Sequence, residues 1–172
     1  MMVTLRVLHP GDAEELLNLQ HRLDQESSFM LLEPDERRTT VDQLVDMLTS
    51  VAASDTSVLI GAEAEGSLVG YLSVRGGNVR RNSHSAYIVI GILQEYQGLG
   101  IGSGLFREVD TWAAENGIVR LELTVMTHNE KAVALYQKSG YSIEGTKLKS
   151  LKVDGQWVDE YYMSKLLSND EN

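Results

Sequence analysis

The chain has 172 residues, a formal net charge of -10, 42% hydrophobic and 23% charged residues, and no cysteine. This suits one domain over residues 1–167 ahead of a polar tail at 168–172, and it excludes disulfides, thiolate zinc sites and a sulfur nucleophile. The acidic balance repels nucleic-acid backbones and attracts cationic amines, although it also serves solubility. With no leader-like start and no apolar run near the roughly 20 residues of a membrane span, a cytoplasmic protein without nucleic-acid or membrane partners is expected.

Apolar periods alternate between two and three to four residues, the pattern of mixed α/β architecture. Val3 to Leu8 reads as a strand, Pro10-Gly11-Asp12 as a turn with a helix cap, and Ala13 to Leu23 as an amphipathic helix. Ser27 to Arg38, with Pro34 and mixed charge, reads as a loop, after which Thr40 caps a helix through about Val51. Ser57 to Glu63 and Leu68 to Val74 are strands around a Glu65-Gly66 hairpin, followed by a polar connection over Arg75 to Asn82. Ala86 to Leu93 is a buried strand in which Gly91 marks a place for a bulge or splay.

Gly98, Gly100, Gly102 and Gly104 follow, where a helix should begin. Glycine inside a helix costs about 1 kcal/mol relative to alanine, so bare backbone must serve something else there, and an anion against exposed N–H groups would use it. A GxxxxGK[ST] phosphate loop fails because no lysine follows the glycines. A GxGxxG dinucleotide loop fails because Ser103 or Leu105 stands at its third glycine position. The helix runs to about Asn116, Gly117 caps it, and Arg120 to Val125 completes a β-α-β unit. A short helix, Asn129 to Lys138, closes at Ser139-Gly140, and strands Tyr141 to Val153 and Gln156 to Lys165 flank an Asp154-Gly155 turn.

Two segments carry a resemblance. Gln97-x-x-Gly100-x-Gly102 and Asn129-Glu-Lys-Ala-Val-Ala-Leu-Tyr136-Gln-Lys-Ser-Gly140-Tyr141 resemble, in order and at plausible separation, the two signatures of the GCN5-related N-acetyltransferase (GNAT) family. The tail from Tyr141 to Met163 is similar to a bacterial branch that includes amino-acid, polyamine and protein N-terminus acetyltransferases. The resemblance implies a central, mostly antiparallel, splayed seven-stranded sheet flanked by helices. It further implies transfer of acetyl from acetyl-CoA to a primary amine of a small molecule, by direct attack in a ternary complex. The other readings are a protein or peptide N-terminal acetyltransferase and a non-catalytic acyl-CoA sensor.

By the same resemblance, backbone N–H groups of Gln97, Gly98, Leu99, Gly100, Ile101, Gly102 and Ser103 hold the pyrophosphate. The strand end at Ile90, Ile92 and Leu93 opens to the pantetheine arm, and an N–H near Ile92 or Leu93 faces the thioester oxygen. Asn129, with Ala132 beside it, meets the pantetheine, and Tyr136 is general acid for the departing thiolate. Asn129 and Tyr136 are seven residues apart and share a helix face, yet Asn129 also suits a plain N-cap and Tyr136 a half-buried aromatic. The bland alternative is that the four glycines only relieve crowding between helix and sheet.

The general base has no candidate on the strand before the loop, where some relatives carry a carboxylate. Glu26, Glu33 and Glu36 in the segment between the first two helices, and His84 before the strand, could each end a water chain from the amine. Acidic residues in Asp24 to Arg38 suit a cationic amine, whereas Arg37 and Arg38 suit the carboxylate of an amino acid. Arg75, Arg80 and Arg81 could meet a phosphate or an acidic substrate, or be a solvated loop. His9, His21, His84 and His128 are scattered without metal-ligand spacing, so no metal is expected. The C-terminal strands leave room for a homodimer without demanding one.

Overall fold

The computed structural model describes residues 1–167; the tail expected at 168–172 lies outside the described residues. β1 is Val3–Val7, α1 Ala13–Glu26, α2 Val41–Ala52, β2 Val58–Ala64, β3 Ser67–Gly76 and β4 Ser85–Ile92. α3 follows at Ile101–Glu115, then β5 Arg120–Met126, α4 Glu130–Lys138, β6 Ser142–Val153 and β7 Gln156–Leu166. Among the described residues no helix is long and apolar enough to cross a membrane.

Local chemistry explains the boundaries. α2 starts where the Thr40 hydroxyl accepts from the Gln43 N–H and the Gln43 side chain accepts from the Thr40 N–H, a reciprocal capping box. The β2–β3 hairpin turns at Glu65-Gly66 and the β6–β7 hairpin at Asp154-Gly155. All four residues have positive φ, as the tight turn that matches strand twist requires. α1 runs three residues beyond the expected Leu23, because Asp24 is buried under it with a partner described below.

The sheet order is β1-β2-β3-β4-β5-β7-β6, antiparallel throughout except for β4 beside β5. α1 and α2 pack on one face, where Leu16, Leu19, Leu23, Leu44 and Leu48 are buried. α3 buries Leu105, Phe106, Val109 and Ala113 against the sheet. Burying a large aliphatic side chain contributes about 1.5–3 kcal/mol, so these two helical layers hold the central strands firmly.

The parallel pair is the weak seam. β4 and β5 are in register only from Ser85↔Arg120 to Tyr87↔Glu122, whereas β4 stays paired with β3 as far as Gly70↔Ile92. From Ile88 onward β4 has one paired edge, and a V-shaped cleft opens beside it. Of the bulge or splay expected at Gly91, the strand shows the splay: no register shift accompanies this glycine, and the sheet's irregularities lie in β2, between Ala62 and Glu63, and in β6, between Ile143 and Gly145 and between Lys147 and Leu151. A Cβ on Gly91 would stand 2.8 Å from Leu23 Cδ1, so this glycine is there to let α1 lie against the strand end.

Candidate active site

Strand alternation decides which backbone groups face the cleft. The Leu93 N–H donates to the Val69 carbonyl across β3–β4 at 2.9 Å, and Gly77 donates to the Ser85 carbonyl at the other end. Odd-numbered residues of β4 therefore bond to β3, and the N–H and C=O groups of Ile90 and Ile92 point to the open edge. Of the two residues considered for an oxygen-facing N–H, Leu93 is thus spent and Ile92 is open. The Ile92 carbonyl accepts from Gln97 Nε2 at 3.1 Å, which ties the following loop to the strand end and leaves the Ile92 N–H as the donor facing the cleft.

The four glycines divide into two pairs with different work. Gly98 and Gly100 have φ of +75° and +83°, and an added Cβ would meet nothing within 4 Å. They serve the left-handed turn and leave an open surface. Gly102 and Gly104 sit inside α3, where an added Cβ would come 2.7 Å from Leu135 Cδ2 and 3.0 Å from Leu5 Cδ1. They relieve crowding, the second of the two roles considered. Gly104 is the first residue whose N–H closes back on the turn, donating to Gly100 at 3.0 Å. The N–H groups of Ile101, Gly102 and Ser103 are left as the unpaired start of a 15-residue helix, a ready site for an anion with the helix dipole behind it.

α4 supplies the far wall. Asn129 is its N-cap, its Oδ1 accepting from the Ala132 N–H at 3.4 Å, so the capping role is real and leaves the side-chain NH2 to donate elsewhere. Tyr136 is buried and packs edge-on to Phe106, with ring centroids 5.6 Å apart. Burial raises the pKa of its phenol well above the ordinary tyrosine value, and the nearby Tyr87 adds to this. The Tyr136 hydroxyl therefore stays protonated across the neutral range. Tyr87 itself, on β4, shares a 2.7 Å hydrogen bond with Thr124 on β5.

The α1–α2 segment folds over this cleft and changes how its charges read. Arg37 binds Asp24 through two hydrogen bonds, Nε to Oδ2 at 2.5 Å and Nη2 to Oδ1 at 3.0 Å, with the Asp24 side chain fully buried. Each answers the other, so neither is a free charge for a cationic amine or for the carboxylate of an amino acid. Glu26 accepts from the Gln94 N–H at 2.6 Å, just past the end of β4. Phe29 lies against His128 at 5.2 Å between ring centroids, on the loop that leaves β5. Glu33 and Glu36 are exposed, joined only by a Glu36 N–H to Glu33 carbonyl turn.

His84 is exposed at the start of β4, with its carbonyl bonded to the Val119 and Arg120 N–H groups. It lies about 26 Å along the strand from Ile92, so the structure does not bring it to the cleft's open end. Arg75, Arg80 and Arg81 lie at that same far end, beside an open hollow of about 580 Å³ that Arg75 helps to line, and away from the glycine turn. Among the described residues no group of three His, Asp or Glu side chains is arranged to hold a metal ion.

The chain that builds this cleft and helix start also matches a known family. Residues 15–141 match the model of the Acetyltransferase (GNAT) family. The chain belongs to the GNAT acetyltransferases. It is similar to the L-amino acid N-acetyltransferase AaaT of Escherichia coli, 35% identical over 106 residues, which is 59% of this chain and 64% of that one, just under two thirds of the relative's length. It is also similar to the N-alpha-acetyltransferase RimI of Mycobacterium tuberculosis, 36% identical over 115 residues, covering 66% and 68% of the two chains. A crystal structure of a GNAT-family acetyltransferase from Streptococcus pneumoniae superposes with a TM-score of 0.93 at 33% identity, over 96% of this chain and all of that one. The seven-stranded, mostly antiparallel sheet is that of the GNAT fold.

Proposed function

We propose that this GNAT protein transfers an acetyl group from acetyl-CoA to the primary amine of a small molecule, amino-acid-like or polyamine-like, with both substrates bound at once. The observation that carries this is the open edge of β4: an Ile92 N–H facing a cleft whose mouth is the glycine turn and α3 start. The fit to the cofactor is physical. The surface over Gly98 and Gly100 is bare backbone, and three helix-start N–H groups converge beside it, which suits a pyrophosphate.

When bound, acetyl-CoA supplies an activated acyl thioester. The chain's own residues do the rest. Ile101, Gly102 and Ser103 orient the donor through main-chain N–H groups, and the side-chain NH2 of Asn129 is available to its arm. The Ile92 N–H is the hydrogen-bond donor placed to stabilise negative charge that develops at the cleft wall. Tyr136 keeps a proton on its hydroxyl, held there by burial, and can donate a hydrogen bond to the departing thiolate as its S–C bond breaks, passing the proton on as the thiolate leaves. With no cysteine in the chain, direct attack by the amine is the economical route.

The likeness to AaaT favours a free amino acid as acceptor, and the likeness to RimI favours a protein N-terminus. A screen of free amino acids, polyamines, aminoglycosides and short peptides, read by mass spectrometry for the acetylated product, separates them. Acetylation of a small amine supports the proposal, and acetylation of peptides alone moves the acceptor to protein N-termini. Saturable cofactor binding without any product would make the chain a sensor.

A further inference from the structure

We infer that Glu26 is the proton acceptor for the incoming amine, a carboxylate delivered to the end of β4 by α1 instead of by the strand; this rests on the acetyltransferase reading. The acceptor-side face of β4 offers Tyr87, Val89 and Gly91, and therefore no carboxylate. Glu122, the nearest acid on β5, is held by Arg120 at 2.7 Å. The acceptor has to come from an element packed over the cleft.

α1 is that element, and contacts on both sides of its last turn fix its position. Leu23 fills the space that a side chain on Gly91 would take, and Arg22 Nη2 reaches Glu95 at 3.2 Å. The last residue of the helix then puts Glu26 Oε1 on the Gln94 N–H, two residues beyond Ile92. Three residues later Phe29 lies on His128, at the end of β5. Residues 26–29 therefore span the mouth of the cleft from one parted strand to the other, with the carboxylate on the Ile92 side. One oxygen is engaged and Oε2 remains to take a proton.

The step is a simple transfer: R–NH3⁺ and the Glu26 carboxylate give R–NH2 and the carboxylic acid, which returns its proton to water. The charged groups around it have other partners or stand further off. Arg22 and Glu95 bind each other, Asp24 binds Arg37, and His128 lies across the mouth beyond Phe29. Glu33, Glu36 and His84 have no comparable contact with the end of β4.

Glu26→Gln tests this, because the amide oxygen can still accept from the Gln94 N–H while the basic group is gone. The probes are L-leucine, spermidine and the peptide Ala-Ala-Ala, with rate against pH, coenzyme A affinity by calorimetry and melting temperature measured on wild type, Glu26→Gln and His128→Gln. With whichever probe the wild type acetylates, Glu26→Gln should lower kcat/KM about 100-fold or more at pH 7. The deficit should shrink as pH approaches the amine's own pKa, with coenzyme A affinity and melting temperature kept. A loss constant across pH, a loss matched by weakened coenzyme A binding or melting, or an unchanged rate would each overturn the assignment, leaving Glu26 a docking residue for α1. A pH-dependent loss confined to His128→Gln would overturn it in favour of His128. A wild type that binds coenzyme A yet acetylates neither these three probes nor any acceptor in the screen above overturns the acetyltransferase reading and this assignment with it.

Discussion

Tyr87 and Thr124 join hydroxyls at 2.7 Å where the β4–β5 backbone register ends, so a side-chain bridge stands at the vertex of the cleft. Above it the strands part; below it they are a normal parallel pair. Tyr87→Phe removes this bond alone and should lower stability by about 1 kcal/mol in urea denaturation, the usual net worth of one hydrogen bond.

The division of the glycines makes a sharp comparison. Gly98→Ala and Gly100→Ala force an L-residue into left-handed backbone, at about 1–2 kcal/mol each, and reshape the anion-facing turn. Coenzyme A binding by calorimetry should weaken about tenfold or more, equivalent to at least about 1.4 kcal/mol. Gly102→Ala meets side-chain tips, Leu135 Cδ2 at 2.7 Å, which must shift, and Ile92 Cδ1 at 3.4 Å, and gains helix propensity of about 1 kcal/mol to offset that shift, so its stability and affinity should stay near wild type.

Tyr136→Phe keeps the packing on Phe106 and removes the proton. Turnover should fall about 100-fold or more, with coenzyme A affinity retained. Unchanged turnover with a good amine would take Tyr136 out of the mechanism.

The buried tyrosines also set a pH limit. Burial raises the phenol pKa of Tyr136, Tyr141 and Tyr71 above the ordinary value of 10.0. The stability they contribute is fully present below the unfolded pKa. Above it, the unfolded chain has lost protons that the folded chain keeps, so stability falls as pH rises, by up to about 1.4 kcal/mol per pH unit for each tyrosine. Denaturation midpoints should be insensitive to these groups below pH 9 and drop above pH 10. Tyr141 carries this most plainly, since its buried hydroxyl has no hydrogen-bond partner.

Arg37→Met leaves Asp24 buried and alone, and should destabilise the chain by about 3–5 kcal/mol. The double variant Asp24→Leu/Arg37→Met should recover much of that loss in urea denaturation. A pair that served substrate binding alone would show neither effect.

Period and turn chemistry made the elements legible. Glu65-Gly66, Asp154-Gly155, Thr40 with Gln43, and Gly117 each have a local conformation that few other residues support, so the seven strands and four helices stand within a few residues of expectation. The paired signatures mark the glycine turn and the α4 start that the structure sets beside the cleft, and the cofactor role proposed for them is mostly a backbone one. What failed to show was pairing across the fold. That Arg37 belongs to Asp24, that the Leu93 N–H belongs to Val69, and that Gly91 belongs to Leu23 are facts of tertiary contact with no periodic trace. The acceptor side is built almost wholly from such contacts, and Glu26 could be distinguished from Glu33 and Glu36 only once α1 was seen to end on Gln94.

The central claim, direct transfer from acetyl-CoA to an amine held in the same cleft, is tested most directly by initial rates of coenzyme A thiol release over a grid of both substrates. Amine-dependent release with intersecting double-reciprocal lines is the expected result. Parallel lines, or thiol release that ignores the amine, would contradict it.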